Sequence, residues 1–438
     1  MAGISLPRFS DYDPAASAEG SIDPLGLYAI ADSLALQLIP GIRERMIHPR
    51  FLTAMAAGNV VTRDFDEDML AADGQTEPYL VYEWHVVEGL VRTRGKEESF
   101  GGIPGTLKVK NSIRQNLPLS AARYLKNAGT FGFHGVYRVL AKNLDIVTDG
   151  ILGETGYELL KEWEDEQDLN GFLSGSNGNG HHRYRQIRTA VEKAISKGAV
   201  AKSPAWGGWS FFGDHLYPRQ IGTREAEIII RALVSDQEST RSQVIRFLAS
   251  RDGHQILSGS KSERRFHEAL RPHMDEAGKN LLDAISYYEK FSRYIQDAFN
   301  DCLHVMTKQK GKTSLSALAK EATCLSASEN VPMLFQEVAD RLEPFKESAR
   351  FLNTFNAFSE HGDTGDWIEI LLNHHITVQR RKPPNGRNSW FERFDDGTYI
   401  VRTAYTRNEP AKRDDSYVNA YRSGPLYSFL YDLGYLEE

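Results

Sequence analysis

From residue 223 to about residue 358, apolar side chains recur in the rhythm of an α-helix: Ile228, Ile229 and Leu233; Val244, Phe247 and Leu248; Leu281, Leu282 and Ile285; Phe291, Ile295 and Phe299; Leu334, Val338 and Leu342. Residues three and four apart share one face of a helix, so each set defines a stripe that another element must cover. This region predicts a bundle of about five to seven helices. No fixed-period repeat accompanies it.

The same rhythm begins earlier. Asp23-Pro24 supplies an N-cap and a first helical residue ahead of Leu25, Ile30, Leu34 and Leu38, up to Pro40-Gly41. A second helix is expected from Ile42 or Pro49 to about Gly58, and a third over 78–93, with Tyr79, Tyr82, Val86 and Leu90 on one face. Residues 1–24 carry no periodicity and suggest an irregular arm. In the tail, 376–379 and 399–403 alternate like strands, separated by the turn formers Pro383-Pro384-Asn385-Gly386 and Asp395-Asp396-Gly397. A last amphipathic helix carries Val418, Tyr421, Leu426, Phe429, Leu430 and Leu433. The fold class is therefore mainly α with a small C-terminal α+β element.

A chain of 438 residues is long enough for several cores. The run Gly171–Gly180 reads as a linker, which with the composition shifts gives five regions: an N-terminal helical region (1–98), a basic segment (99–170), a linker with irregular sequence (171–222), the helical domain (223–360) and a basic C-terminal region (361–438). Met1–Pro14 lacks the cationic start and apolar run of a signal peptide, and no apolar stretch has membrane-spanning length. A cytoplasmic protein without a membrane partner is expected. Cys302 and Cys324 lie in helical surroundings without a CxxC pair, which reads as two buried thiols. No motif asks for a cofactor or a metal.

The most unequal charge lies in residues 100–144, which hold Lys108, Lys110, Arg114, Arg123, Lys126, Arg138 and Lys142 and no acid, within a chain of formal net charge −7. Such an asymmetry attracts polyanions. Residues 106–114 read as a short strand or the start of a helix. Pro118 opens a helix to about Asn127; Gly129, Gly132 and Gly135 loosen the turn; a second helix spans 133–144. A tight hairpin through Thr148-Asp149-Gly150 follows, and Thr155 caps a further helix to about Asp168. On the second helix His134, Arg138 and Lys142 repeat at intervals of four and are placed on its exposed side.

Over 117–163 this order resembles the winged-helix families of bacterial DNA-binding proteins, and residues 152–160 are similar to the start of their last helix. The resemblance implies an internal winged helix-turn-helix. It also implies contact between the 133–144 helix and double-stranded DNA, and no reaction. Phosphate contacts are assigned to Lys108, Lys110, Arg114, Arg123 and Lys126, and groove contacts to His134, Arg138 and Lys142. The wing is short and carries Asp149 in place of a basic tip, which leaves open a winged helix that docks protein.

A second basic region, 374–413, holds Arg380, Arg381, Lys382, Arg387, Arg393, Arg402, Arg407, Lys412 and Arg413 against Glu392, Asp395, Asp396 and Glu409. Trp390, Phe391, Tyr399 and Tyr405 interleave with them, a composition suited to backbone contact plus stacking; Arg380, Arg381, Lys382 and Arg387 are taken as further nucleic-acid-binding candidates. The alternative is a hairpin whose aromatics pack inward. Gly311-Lys312-Thr313 imitates the end of a phosphate-binding loop without its earlier glycine. His181, His182, His374 and His375 read as surface or capping residues. Asp366, Gln379 and Arg381 imitate a nuclease pattern in which glutamine cannot hold Mg²⁺.

Residues 23–56 and 418–436 are similar to uncharacterised bacterial proteins encoded beside restriction and antiphage genes. That likeness implies an accessory subunit of a defence system, working with protein partners in a multi-subunit complex. The expectation is a DNA-binding accessory subunit, with a protein-docking scaffold or a metal-dependent nuclease as alternatives.

Overall fold

The computed structural model describes residues 23–436 apart from 67, 99, 260, 261, 384 and 413. The irregular arm expected for 1–24 thus falls almost wholly outside the described residues, as does Arg413. The described chain is mainly α-helical, with nineteen α-helices and five short strands. It divides into two compact units, one of residues 36–274 and 422–436, the other of residues 23–35 and 275–421. No helix among the described residues is long and apolar enough to cross a membrane.

After α1 (Tyr28–Leu38), the larger unit is built on α2 (Phe51–Thr62) and α3 (Pro78–Arg94). Pro78 occupies the first turn of α3, where its missing N–H costs nothing, and every residue from Val81 to Leu90 is buried. Close approach comes from glycine: a Cβ on Gly58 of α2 would lie 2.6 Å from the Tyr82 ring. Around α2 and α3 stand α4 (Thr106–Arg114), the single turn α5 (Ala128–Phe131), α6 (Phe133–Asn143) and, against α2, the antiparallel pair β1 (Val147–Thr148) and β2 (Ile151–Leu152). Then follow α7 (Glu154–Glu166), α8 (Asn179–Lys197), α9 (Trp209–His215), α10 (Thr223–Leu233), α11 (Thr240–Leu248), α12 (Arg251–Gly259) and α13 (Glu263–Leu270).

The smaller unit is organised by α14 (Glu276–Gln309), whose first turn is capped by the Asp275 carboxylate accepting the Gly278 N–H at 2.7 Å. With it pack β3 (Thr313–Ser314), α15 (Leu315–Leu318), α16 (Ala322–Leu342), α17 (Ser348–Phe355), α18 (Thr364–Arg380), β4 (Phe391–Arg393) and β5 (Thr398–Val401). The strands form an antiparallel sheet of order β3-β5-β4, with Thr313 opposite Tyr399 and Phe391 opposite Val401. Cys302 and Cys324 are both buried, their sulfurs 3.7 Å apart. The last helix, α19 (Ser423–Asp432), belongs to the larger unit.

Several elements differ from the sequence reading. Residues 118–127 form a loop with one 3-10 turn, Ala121–Arg123, in place of a helix. Ten residues are too few to sustain a helix by themselves, and here the Leu119 carbonyl instead accepts the Val200 N–H at 2.8 Å while Ser120 bridges Ala199. Residues 179–197, read as irregular, are helix α8. The glycine run before it is held: Phe172 is fully buried, and the Glu164 carboxylate accepts backbone N–H groups of Gly171 and Leu173. Residues 376–379 continue α18 instead of forming a strand, because His374, His375 and Gln379 reach backbone carbonyls of Leu25 and Pro24 from that helix.

Candidate nucleic-acid interface

All seven cations of the acid-free segment are exposed. On α4 the buried side is Val109 and Ser112, so Lys110 and Arg114, one turn apart, stand on the open side and Lys108 at its other edge. Arg123 lies in the 3-10 turn and Lys126 just before α5. The Lys110 ammonium sits 5.2 Å from the Phe100 ring centroid, and Arg114 donates to the Asn111 side chain. Among the described residues Lys108, Lys110, Arg114, Arg123, Lys126 and Arg138 form no ion pair with a carboxylate; Lys142 pairs with Asp149 at 3.1 Å.

Helix α6 corrects one assignment. His134 is buried, not exposed: its backbone N–H and its Nδ1 both lie 3.0 Å from Glu83 Oε2, while the Tyr124 hydroxyl donates to Glu83 Oε1 at 2.7 Å. A fully buried carboxylate thus sits at the positive end of α6 and ties it to α3 and to the 118–127 loop. Gly132 is required there, since a Cβ would come within 1.9 Å of Glu83 Oε1, and a Cβ on Gly135 would meet the Gly129 carbonyl at 2.4 Å. These glycines serve close packing, not a loosened turn. Phe133, Val136 and Tyr137 are buried as well, leaving Arg138, Val139, Lys142 and Asn143 on the open stripe.

The hairpin after α6 turns through Asp149 and Gly150, both at positive φ (50° and 82°), the two-residue turn whose twist suits paired strands. Asn59 of α2 donates to the Gly150 carbonyl at 2.6 Å. A cation that the sequence reading passed over stands nearby: the Arg45 guanidinium lies 4.9 Å from the ring of Phe131, with exposed Glu44 beside it in sequence. Its distance along the chain from 100–144 hid it.

The second basic region belongs to the smaller unit. Arg380, Arg381 and Arg387 make no ion pair among the described residues; Arg380 and Arg381 are exposed and Arg387 half-buried. The Lys382 ammonium donates to the Asp23 carbonyl at 2.5 Å, and burial pushes its pKa down. Arg393 pairs with Glu369 at 2.6 Å and Arg402 with Glu392 at 3.7 Å. The interleaved aromatics divide: Phe391 and Tyr399 are core residues, whereas Trp390 and Tyr405 are half-buried and stack on each other at 4.7 Å.

His374 and His375, read as surface or capping residues, lie inside α18. The His375 ring is fully buried, donating from Nδ1 to the Pro24 carbonyl at 2.9 Å and accepting the Trp390 N–H on Nε2 at 3.0 Å, so both nitrogens are occupied. Asp366 and Gln379 are thirteen residues apart on the same helix, about 20 Å at 1.5 Å per residue, too far to share one cation. Lys312 pairs with Asp396 at 2.6 Å, and Thr313 is in β3. No protein-family model matches the chain, and neither a curated protein nor a solved structure matches it.

Proposed function

We propose that this chain is a DNA-binding accessory protein that holds duplex DNA by its phosphates through residues 108–142 and positions partner proteins on it, as a subunit of a bacterial antiphage or restriction system. One observation carries the reading: six exposed cations without carboxylate partners among the described residues, in a segment free of acids, on a chain of net charge −7. Lys108, Lys110, Arg114, Arg123, Lys126 and Arg138 supply the phosphate contacts. The winged-helix reading places α6 against the duplex through Arg138 and Lys142, with His134 withdrawn from that role.

Binding of this kind releases counterions, so the affinity falls with salt in proportion to the phosphates neutralised. Replacing Lys110, Arg114 and Arg138 by alanine is expected to weaken duplex binding and flatten the logarithmic salt slope by about two to three units, measured by fluorescence anisotropy over a salt series. An unchanged slope removes these residues from the interface. A protein-docking scaffold is the second reading, favoured by the exposed apolar residues of the same segment, Leu107, Leu117 and Phe131. It predicts negligible duplex binding at moderate salt and loss of a co-purifying partner on Leu107→Asp.

A further inference from the structure

His134 is buried in bulk, yet one atom of it reaches water. Its Nδ1 faces the Glu83 carboxylate at 3.0 Å, and its ring packs against Tyr79 with centroids 5.1 Å apart and edge-on against Tyr82 at 6.5 Å. The residue is 7% exposed, and Nε2 is neither enclosed nor bonded to another described residue. The opening is therefore at Nε2. A carboxylate on Nδ1 also decides which proton the ring keeps: Nδ1 holds one towards Glu83, so the neutral ring presents Nε2 as a lone pair and the charged ring presents it as an N–H donor. The same atom repels an anion in one state and binds it in the other.

What borders the opening favours an anion. Arg138 stands one turn further along α6, exposed and without a carboxylate partner among the described residues. Long side chains on a helix lean towards its N-terminus, so the guanidinium extends towards His134 from four residues on. It reaches the neighbourhood of the Tyr79 hydroxyl, whose pKa burial and then Glu77 push up while Arg138 works against them. Tyr79 packs on the imidazole as well, so the guanidinium and the imidazole border the same ring. Glu77 is exposed and accepts from the Tyr79 hydroxyl, which places an incoming anion on the Arg138 side of the imidazole and not over Tyr79.

Nothing else facing this ring changes charge alongside it. Burial pushes the phenol pKa of Tyr82 and Tyr124 up, as it does for Tyr79, so all three keep their protons where an imidazole titrates, between about pH 5 and 8. Arg43, which donates to the Gly135 carbonyl, and Arg138 stay charged throughout. Helices α2 and α5 and strand β1, which also pack on α6, carry no titratable residue. We propose that a phosphodiester oxygen is received between His134 Nε2 and the Arg138 guanidinium, and that His134 takes up a proton to receive it. The seat rests on the duplex reading of residues 108–142 and adds a regulation to it: binding strengthens as pH falls through the imidazole range, a dependence that lysine and arginine contacts lack.

The test measures the affinity of the full chain for a short duplex by fluorescence anisotropy at fixed salt. Wild-type affinity is expected to fall about tenfold from about pH 6 to about pH 8, as one linked proton allows, and to change by less than about twofold in His134→Asn. Asparagine can keep a donor on Glu83 while offering nothing at Nε2. Arg138→Ala, at an exposed position, serves if that variant fails to fold; it should bind more weakly and lose most of the pH dependence. In parallel the His134 ring resonances are followed by NMR with dimethyl phosphate, a diester that does not titrate in this range, and are expected to titrate at higher pH in its presence. Duplex binding with the same pH dependence in wild type, His134→Asn and Arg138→Ala overturns the proposal and leaves the duplex reading standing. Absence of duplex binding at every pH overturns the duplex reading; an upward shift with dimethyl phosphate then still supports the seat, and no shift overturns it too.

Discussion

Glu83 shows how one buried carboxylate can position a helix. Three donors from Tyr124 and His134 hold it, and one of them is a backbone N–H in the first turn of α6. Glu83→Ala leaves those donors buried without partners and is expected to destabilise the fold by about 3 kcal/mol or more in chemical denaturation. Tyr124→Phe removes one bond of the three and is expected to cost about 1 to 2 kcal/mol. By contrast the exposed Lys142–Asp149 pair is worth under about 1 kcal/mol. Histidine 375 offers a residue-scale test by pH. Burial, and then Lys382 and His374 close by, push its pKa from 6.5 down to about 3, against the raising effect of its bond to Pro24. The unfolded chain therefore takes the proton first, so the stability His375 provides is whole above pH 6.5 and is lost as pH falls toward 3, at up to about 1.4 kcal/mol per pH unit. His375→Gln can keep both hydrogen bonds without titrating; its denaturation midpoint should decline less steeply between pH 6.5 and 4 than that of the wild type.

At the scale of elements, α14 does more than fill the core of its unit. Glu289, Arg293, Asp301, His304 and Thr307 form a polar row along it, and residues 407, 411, 416, 418 and 419 bond to that row. The Arg407 N–H and carbonyl bond to Thr307 and His304, the Ala411 N–H to Asp301, the Ser416 carbonyl to Arg293, and the Val418 and Asn419 N–H groups to Glu289. These five residues, outside any helix or strand, thus satisfy backbone groups on side chains. Burial raises the Glu289 pKa, although the side chains of Asn419 and Tyr421 and backbone donors work against the shift. Glu289→Gln turns one acceptor into a donor facing donors. The expected outcome is faster proteolytic cleavage within 407–419 under native conditions, and an unchanged cleavage rate would show that Glu289 does not hold the segment. Helices were legible because their signal is local: α3 and α10 follow their apolar stripes. The 118–127 loop was not, since its backbone partners at 199 and 200 lie some eighty residues away.

For the molecule as a whole, the balance of charge decides what can approach. Net charge −7 repels polyanions in general, and the acid-free segment offers them a local exception. The form of α6 limits what a duplex could be read for. In helix-turn-helix docking the first residues of the recognition helix meet base edges, and here Phe133, His134, Val136 and Tyr137 are buried. Phosphate contact without base readout fixes orientation but carries no sequence information. Selection from random duplexes is accordingly expected to enrich no consensus; a strong consensus would contradict a phosphate-only interface.

The sequence by itself determined the helical character, most element positions, the tight hairpin at Asp149-Gly150 and the charge asymmetry, because periodicity, turn chemistry and formal charge are properties of neighbouring residues. Tertiary structure alone decided which polar groups face water. His134, Arg138 and Lys142 are spaced by four, yet each such step turns about 40° around a helix, enough to carry His134 under α3 while Arg138 and Lys142 stay open. Burial is set by what packs alongside, here Glu83 some fifty residues earlier, and no local pattern records it.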